Sequence, residues 1–345
     1  MQIKSRSKRP FQLTATVGVL ALVALAVPVL SSAKGKKVEG VRAELKQGTL
    51  RVKGGDGGQQ VALRLKAGDP SRIQVDAGDD GSADFTFSRG DVSAIRVRMG
   101  DGNDVARIDD ANGAFTDAIP TTIAGGYGND SLEGGQLQVA AENETFNGGG
   151  GNDLVDGGKG ADTAYLGEGN DTFRWDNGEG SDVIEGQDGT DTMVFNGAAI
   201  AENVTLTANG GRLAFFRVQG NVTMDTNDVE IVDDKPLGGA DSVTVNDLTG
   251  TDVVETNLDL AAALGGNAPD GVVDSVVVNG TNGDDNIAIN GNGSGADVTG
   301  LATLVSVKHA DTTDDLSVNT LAGTDNVAVN GVAGLIHLLV DGVAV

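Results

Sequence analysis

The chain has 345 residues, of which 53 are Gly and only 6 Pro, with 3% aromatic residues and no Cys. Asp+Glu number 50 against 24 Lys+Arg, a formal net charge of -26. This balance argues against a conventional core of large side chains, excludes a collagen helix, disulfides and thiolate chemistry, and makes nucleic acid an unfavourable partner.

Residues 1–33 read as a signal peptide. Lys4, Arg6, Lys8 and Arg9 precede an apolar run from Thr14 to Leu30, and Ser31-Ser32-Ala33 supplies small residues for a cut after Ala33. A retained membrane anchor is the competing reading of the same run. After cleavage no transmembrane segment is expected, and the mature chain is secreted or held at the cell surface, in the extracellular region. Calcium is abundant enough there for weak carboxylate-rich sites.

Residues 34–99 form an N-terminal β-rich, repeat-like segment. VALRL, RIQVD, ADFTF and AIRVRM alternate apolar and polar residues between Gly-Asp turns, which predicts short strands.

Residues 100–195 carry the strongest signal. From Gly148 the chain reads GGGGNDLVD, GGKGADTAY, LGEGNDTFR, then Trp175-Asp176 as two extra residues, then NGEGSDVIE and GQDGTDTMV. The sixth-position acids are Asp153, Asp162, Asp171, Asp182 and Asp191. GGYGNDSLE places Asp130 in the same phase, apart from the main run, and GDGNDVARI supplies Asp104.

The residue types explain the pattern. Glycine tolerates positive φ and lets carbonyl oxygens turn toward a common point, so Gly149, Gly151, Gly158, Gly160, Gly167, Gly169, Gly178, Gly180 and Gly189 are candidate turn ligands. The aspartates add hard, charged oxygen, the donor that suits Ca2+. At position eight, Leu132, Val155, Ala164, Phe173, Ile184 and Met193 predict an apolar ladder inside a coil. Nine residues make half a circuit. Asp153 is therefore expected to face Asp171, Asp162 to face Asp182, and Asp171 to face Asp191, each pair with a cation between its turns. Without one, the carboxylates repel.

These motifs resemble the haemolysin-type calcium-binding repeats of RTX proteins, closely over Gly148 to Val194 and partly over Gly100 to Glu133. The resemblance implies an all-β, right-handed parallel β-roll or β-solenoid with glycine-rich turns that bind Ca2+ through the repeat Asp and turn carbonyls. Asp130, Asp153, Asp162, Asp171, Asp182 and Asp191 occupy the Asp position. Leu166 and Asn177 replace first glycines and Gln187 a second glycine, and the insertion at Trp175-Asp176 is expected to distort one turn.

Residues 196–235 continue the β-rich pattern, with alternation over 203–231. Residues 236–345 hold a degenerate repeat: DSVTVND, DSVVVNG, DNIAING and DNVAVNG pair a short strand with a tight turn. Further coil rungs and a separate β-sandwich both fit. Asp241, Asp274, Asp285 and Asp325 are weaker ligand candidates than the central acids. AAALGG near Ala261 suggests a brief helix.

His309 and His337 are isolated, and neither HExxH nor GxSxG occurs. The acids recur periodically rather than gathering at one cleft. Trp175 fits a packing role as well as a carbohydrate platform. The expected function is calcium binding by an exported, non-catalytic protein with a surface, matrix or adhesion role and a cell-surface or matrix polymer or protein as partner. A metal-free structural β-solenoid and a polysaccharide-acting β-helix enzyme are the alternatives.

Overall fold

The computed structural model describes residues 40–137 and 143–345. The signal-peptide reading of residues 1–33 lies outside them. The described residues form a coil of two facing sheets, with 15 strands in one and 14 in the other.

Each circuit is a short strand in one sheet, a turn, a short strand in the other, and a turn back. Thr163–Gly169 lies parallel between Glu144–Gly150 and Val183–Gly189, while Leu154–Asp156 lies parallel between Ser131–Glu133 and Thr172–Asp176. The period-two alternation selects what points inward. In Thr172–Asp176, Phe173 and Trp175 are buried while Thr172, Arg174 and Asp176 are half-buried. Parallel register then stacks like on like: Ala106, Leu132, Val155, Phe173, Met193 and Val232 form one inward column. Ile123, Phe146, Ala164 and Ile184 form a column in the other sheet. All ten are fully buried, so every predicted eighth-position residue faces the core. Burying a Val, Leu, Ile, Phe or Met side chain contributes about 1.5–3 kcal/mol. The core thus accumulates rung by rung from modest side chains.

Chain that exceeds one circuit forms antiparallel hairpins. Asn203–Asn209, Arg212–Arg217 and Val222–Asn227 insert such a meander beside Val183–Gly189, after which Asn203–Asn209 resumes parallel pairing with Ser242–Val245. Ser242–Val245, Ser275–Asn279, Asp315–Asn319 and His337–Val340 continue the same sheet in parallel. The C-terminal third is therefore coil, not a separate sandwich.

Two local expectations fail. Ala261 to Gly266 is not helical: the stretch is a loop closed by an isolated bridge between Ala261 and Pro269. Four apolar residues before Gly265-Gly266 are too few to offset helix nucleation, and residues 262–269 are exposed. The Trp175-Asp176 insertion also leaves the coil undistorted. It lengthens its strand by two residues that remain in register with Phe195 and Asn196, and Trp175 stacks on Phe195 with ring centroids 4.0 Å apart. Trp175 is fully buried and packs in the core; it is not a surface platform.

Candidate metal centre

The turns stack because of their glycines. Gly149 (φ 118°) and Gly167 (φ 125°) hold the second turn position and Gly151 (φ 127°) and Gly169 (φ 140°) the fourth, in backbone geometry that side chains resist. A Cβ on Gly167 would strike the Gly149 carbonyl, and one on Gly169 the Gly151 carbonyl, each one circuit earlier. On the opposite edge, a Cβ on Gly158 would strike the Gly135 carbonyl, one on Gly180 the Gly160 carbonyl, and one on Gly178 the end of the Lys159 side chain. Gly160 and Gly189 also have positive φ, and Gly189 abuts the Gly169 carbonyl. At Gly158, Gly167, Gly169, Gly180 and Gly189 a side chain would overlap the backbone of the neighbouring turn.

The sixth-position acids form two ladders. On one edge, the amide N–H of Asp104 donates to Asp130 Oδ1 (2.8 Å), that of Asp130 to Asp153 (2.8 Å), that of Asp153 to Asp171 (2.7 Å), and that of Asp171 to Asp191 (2.8 Å). On the other edge, Glu144 N–H donates to Asp162 Oδ1 (2.6 Å) and Asp162 N–H to Asp182 Oδ1 (2.8 Å). The stacks Asp153/Asp171, Asp162/Asp182 and Asp171/Asp191 are present. Asp130 does not stand apart, however. It is an ordinary rung of the first ladder, because the longer sequence gap before Asp153 is taken up within one circuit.

One oxygen of each carboxylate is thus committed. The other has no protein partner: Oδ2 of Asp104, Asp130, Asp153, Asp162, Asp171, Asp182 and Asp191 is buried and unbonded among the described residues. Each of these acids is at most 3% exposed. An ionised carboxylate with an unpartnered oxygen in such surroundings is strongly disfavoured. Burial accordingly pushes Asp130 up to about 6 and Asp153, Asp182 and Asp191 up to about 7, with neighbouring carboxylates adding to the shift. Asp162 is raised by burial and then by the charges of Asp182 and Glu144. Asp171 is raised by burial. An uncompensated row of buried acids is what a hard cation would relieve.

Residues 121–136, 140–173 and 178–197 match the RTX calcium-binding nonapeptide repeat, in four copies. These segments are RTX-type repeats. They cover about one fifth of the chain, and the matched unit is a calcium-binding, non-catalytic structural repeat. Among curated proteins and among solved structures, nothing matches the chain.

Several participants escaped the sequence reading. Position five is not free. Asn103 Oδ1 accepts the Asn129 amide, Asn129 that of Asn152, and Asn152 that of Asn170, each at 2.9 Å. The recurrence of Asn at that position was the available signal. Glu144 and Glu230 also join the ladders, Glu230 Oε2 accepting the Asp191 amide at 2.7 Å. Beside the Trp175-Asp176 insertion, Asp156, Asp176 and Glu179 bring carboxylate oxygens within 4.8 Å of one another. Arg174 bridges Asp156 and Asp176, Glu179 Oε2 accepts the Asp176 amide, and Glu179 Oε1 is buried without a partner. Lys159 Nζ occupies the Gly178 carbonyl, so that oxygen already has a cation.

His309 and His337 each pair with one aspartate, Asp259 and Asp315, at 2.6 Å. Neither belongs to the acid ladders. Among the described residues no helix is long and apolar enough to cross a membrane.

Proposed function

We propose that the stacked turns take up Ca2+ cooperatively, so that ion binding and folding of the central coil are one equilibrium. The buried, unpartnered Oδ2 oxygens of the ladder aspartates carry this reading. Asp130, Asp153, Asp162, Asp171, Asp182 and Asp191 would hold the ions, with carbonyls of the turns containing Gly149, Gly151, Gly158, Gly160, Gly167, Gly169, Gly178, Gly180 and Gly189. The bound cation supplies positive charge to acids that have few basic neighbours; the side chains and carbonyls supply position. The unfolded chain cannot assemble such a set, so binding free energy becomes folding free energy. Ca2+ suits irregular oxygen shells, whereas Mg2+ demands a near-ideal octahedron and loses water reluctantly.

Millimolar Ca2+ should therefore raise β-type circular dichroism and thermal stability, with Mg2+ much weaker. Identical melting curves in chelator and in Ca2+ would defeat the reading.

The wider role is that of an exported, non-catalytic surface or matrix module. Its support is the leader pattern of residues 1–33 together with repeats whose acids are used periodically. Fractionating cells should place the protein in the envelope or medium, and retention in the cytosol would overturn the assignment. The metal-free solenoid has its own support in the C-terminal turns. Asp285 Oδ2 accepts the Thr281 amide at 2.8 Å and Asp314 Oδ2 the Asp311 amide at 2.6 Å, so these acids are satisfied by protein alone.

A further inference from the structure

The first coils carry a feature the acid ladders do not use. Strands Arg42–Lys46, Thr49–Lys53 and Ala94–Asp101 bury Ala43, Leu50, Val52, Ile95 and Val97, so the alternate residues project outward. Those residues are Arg42, Arg51, Lys53, Arg96 and Arg98, all exposed, with Glu44 the one acid beside them. They line an open groove of about 600 Å³.

The arrangement opposes the stability of the sheet. Arg51 lies in register beside Arg96, Lys53 beside Arg98, and Arg42 opposite Lys53. Neighbouring strands are about 4.8 Å apart, and like charges directly opposed are destabilising. The chain contains twice as many acids as bases, so partners are plentiful elsewhere. Arg107, Arg174, Arg212 and Arg217 each form ion pairs. None of the five groove cations does so among the described residues. Packing the inward apolar residues would be served equally by Thr or Gln at the outward positions.

We propose that this groove binds an acidic polysaccharide through the carboxylate or sulfate groups of successive sugars. The groove offers charge in a row and no aromatic side chain. Single-stranded nucleic acid relies on base stacking that is missing here. A long duplex would meet the acidic remainder of a molecule whose net charge is -26. A flexible polyanion can follow the cationic face and leave the rest untouched. The choice of a polysaccharide rests on the exported, surface-associated reading; the anion site itself does not.

The test uses the full chain loaded with Ca2+ and titrated with labelled chondroitin sulfate, with neutral dextran and single-stranded DNA as comparisons. Wild type should bind the sulfated polymer and not dextran. Arg51→Gln/Arg96→Gln/Arg98→Gln should weaken binding at least about tenfold and reduce the salt slope by about two to three, the number of contacts removed. Because the substitutions relieve like-charge pairs, the thermal midpoint of the variant should equal or exceed that of wild type. Absence of wild-type binding, or equal affinity in the triple variant, would overturn the proposal. Tighter binding of the DNA would overturn the polysaccharide assignment. Cytosolic retention together with intact chondroitin sulfate binding would break the export reading and leave the anion site standing.

Discussion

The central and C-terminal turns place Asp at the same point of the coil yet solve its electrostatics differently. Asp171 accepts one amide N–H at Oδ1 and nothing at Oδ2, whereas Asp314 accepts the Asp274 amide at Oδ1 (3.0 Å) and the Asp311 amide at Oδ2 (2.6 Å). The glycine-rich turn offers no amide to the second oxygen of its acid. The turns GTNGDD, with Thr281 in place of the second Gly, and HADTTD, with His309, Ala310 and Thr312 at the three Gly positions, fold an amide back onto theirs. Asp241 is intermediate: it accepts the Glu202 amide at 2.8 Å, but its Oδ2 is unpartnered, so it resembles the central acids more than its sequence context suggests. On the proposed reading, ion dependence follows what the turn offers the second oxygen, rather than the presence of Asp.

The largest effect should come from chelation. Hydrogen exchange in Ca2+ and in chelator should show amides of residues 145–194 losing protection while those of 304–340 retain it, since sub-global opening follows the least satisfied region. Uniform loss, or none, would erase the distinction between the two regions.

A pair of substitutions sharpens it. Asp171→Ala should reduce bound calcium in titration calorimetry and shrink the calcium-induced rise in melting temperature. Asp314→Ala should destabilise by about 1–3 kcal/mol equally with and without calcium, because it strands two amide donors. Asp130→Ala should lose calcium much as Asp171→Ala does, given its place within the ladder. Calcium-dependent behaviour of Asp314→Ala would show that both kinds of turn take ions.

Proton competition gives a third, smaller effect. Asp153, Asp182 and Asp191 have folded pKa values of about 7 against an ordinary 3.8, so the folded metal-free chain holds more protons than the unfolded one between those values. Stability from this source is fully present below about pH 4 and is lost as pH rises through 7. In chelator, the melting temperature should fall between pH 5 and pH 8. Ca2+ should flatten or reverse that trend, because it binds the ionised form. A metal-free chain that becomes more stable toward pH 8 would contradict the buried, unpartnered state of these oxygens.

The phase of the repeat, the inward column at Val155, Phe173 and Met193, and the stacking of Asp153 on Asp171 were legible because glycine turns and period-two alternation act locally. Features depending on the third dimension were not. Asp130 looked isolated because sequence distance counts the residues of an extended circuit, while the hydrogen bond to Asp153 depends only on the circuit closing. The Arg212–Arg217 hairpin was readable as strand but not as an insertion. Glu144, Glu202 and Glu230 stand in the ladders where the motif calls for Asp: Glu144 and Glu202 donate their backbone amides to Asp162 and Asp241, and the longer Glu230 side chain accepts the Asp191 amide. The register that makes neighbours of Arg51 and Arg96 is likewise invisible until strands 45 residues apart are paired.

The smallest effect concerns one departure from the glycine pattern. Gln187 holds the second position of its turn at φ 75°, where Gly149 and Gly167 stand in the stacked turns of the same edge. A non-glycine residue in left-handed backbone costs roughly 1–2 kcal/mol, part of which glycine returns through its greater freedom in the unfolded chain. The Gln187 side chain is exposed and makes no side-chain hydrogen bond among the described residues, so little is lost by removing it. Gln187→Gly should therefore stabilise the calcium-loaded coil by about 1 kcal/mol, read as a higher denaturant midpoint with an unchanged slope. In chelator, where this region is expected to open, the gain should vanish. A gain that persists undiminished in chelator would mean that the turn at Asp191 stays folded without calcium, and would move it from the central class to the C-terminal one.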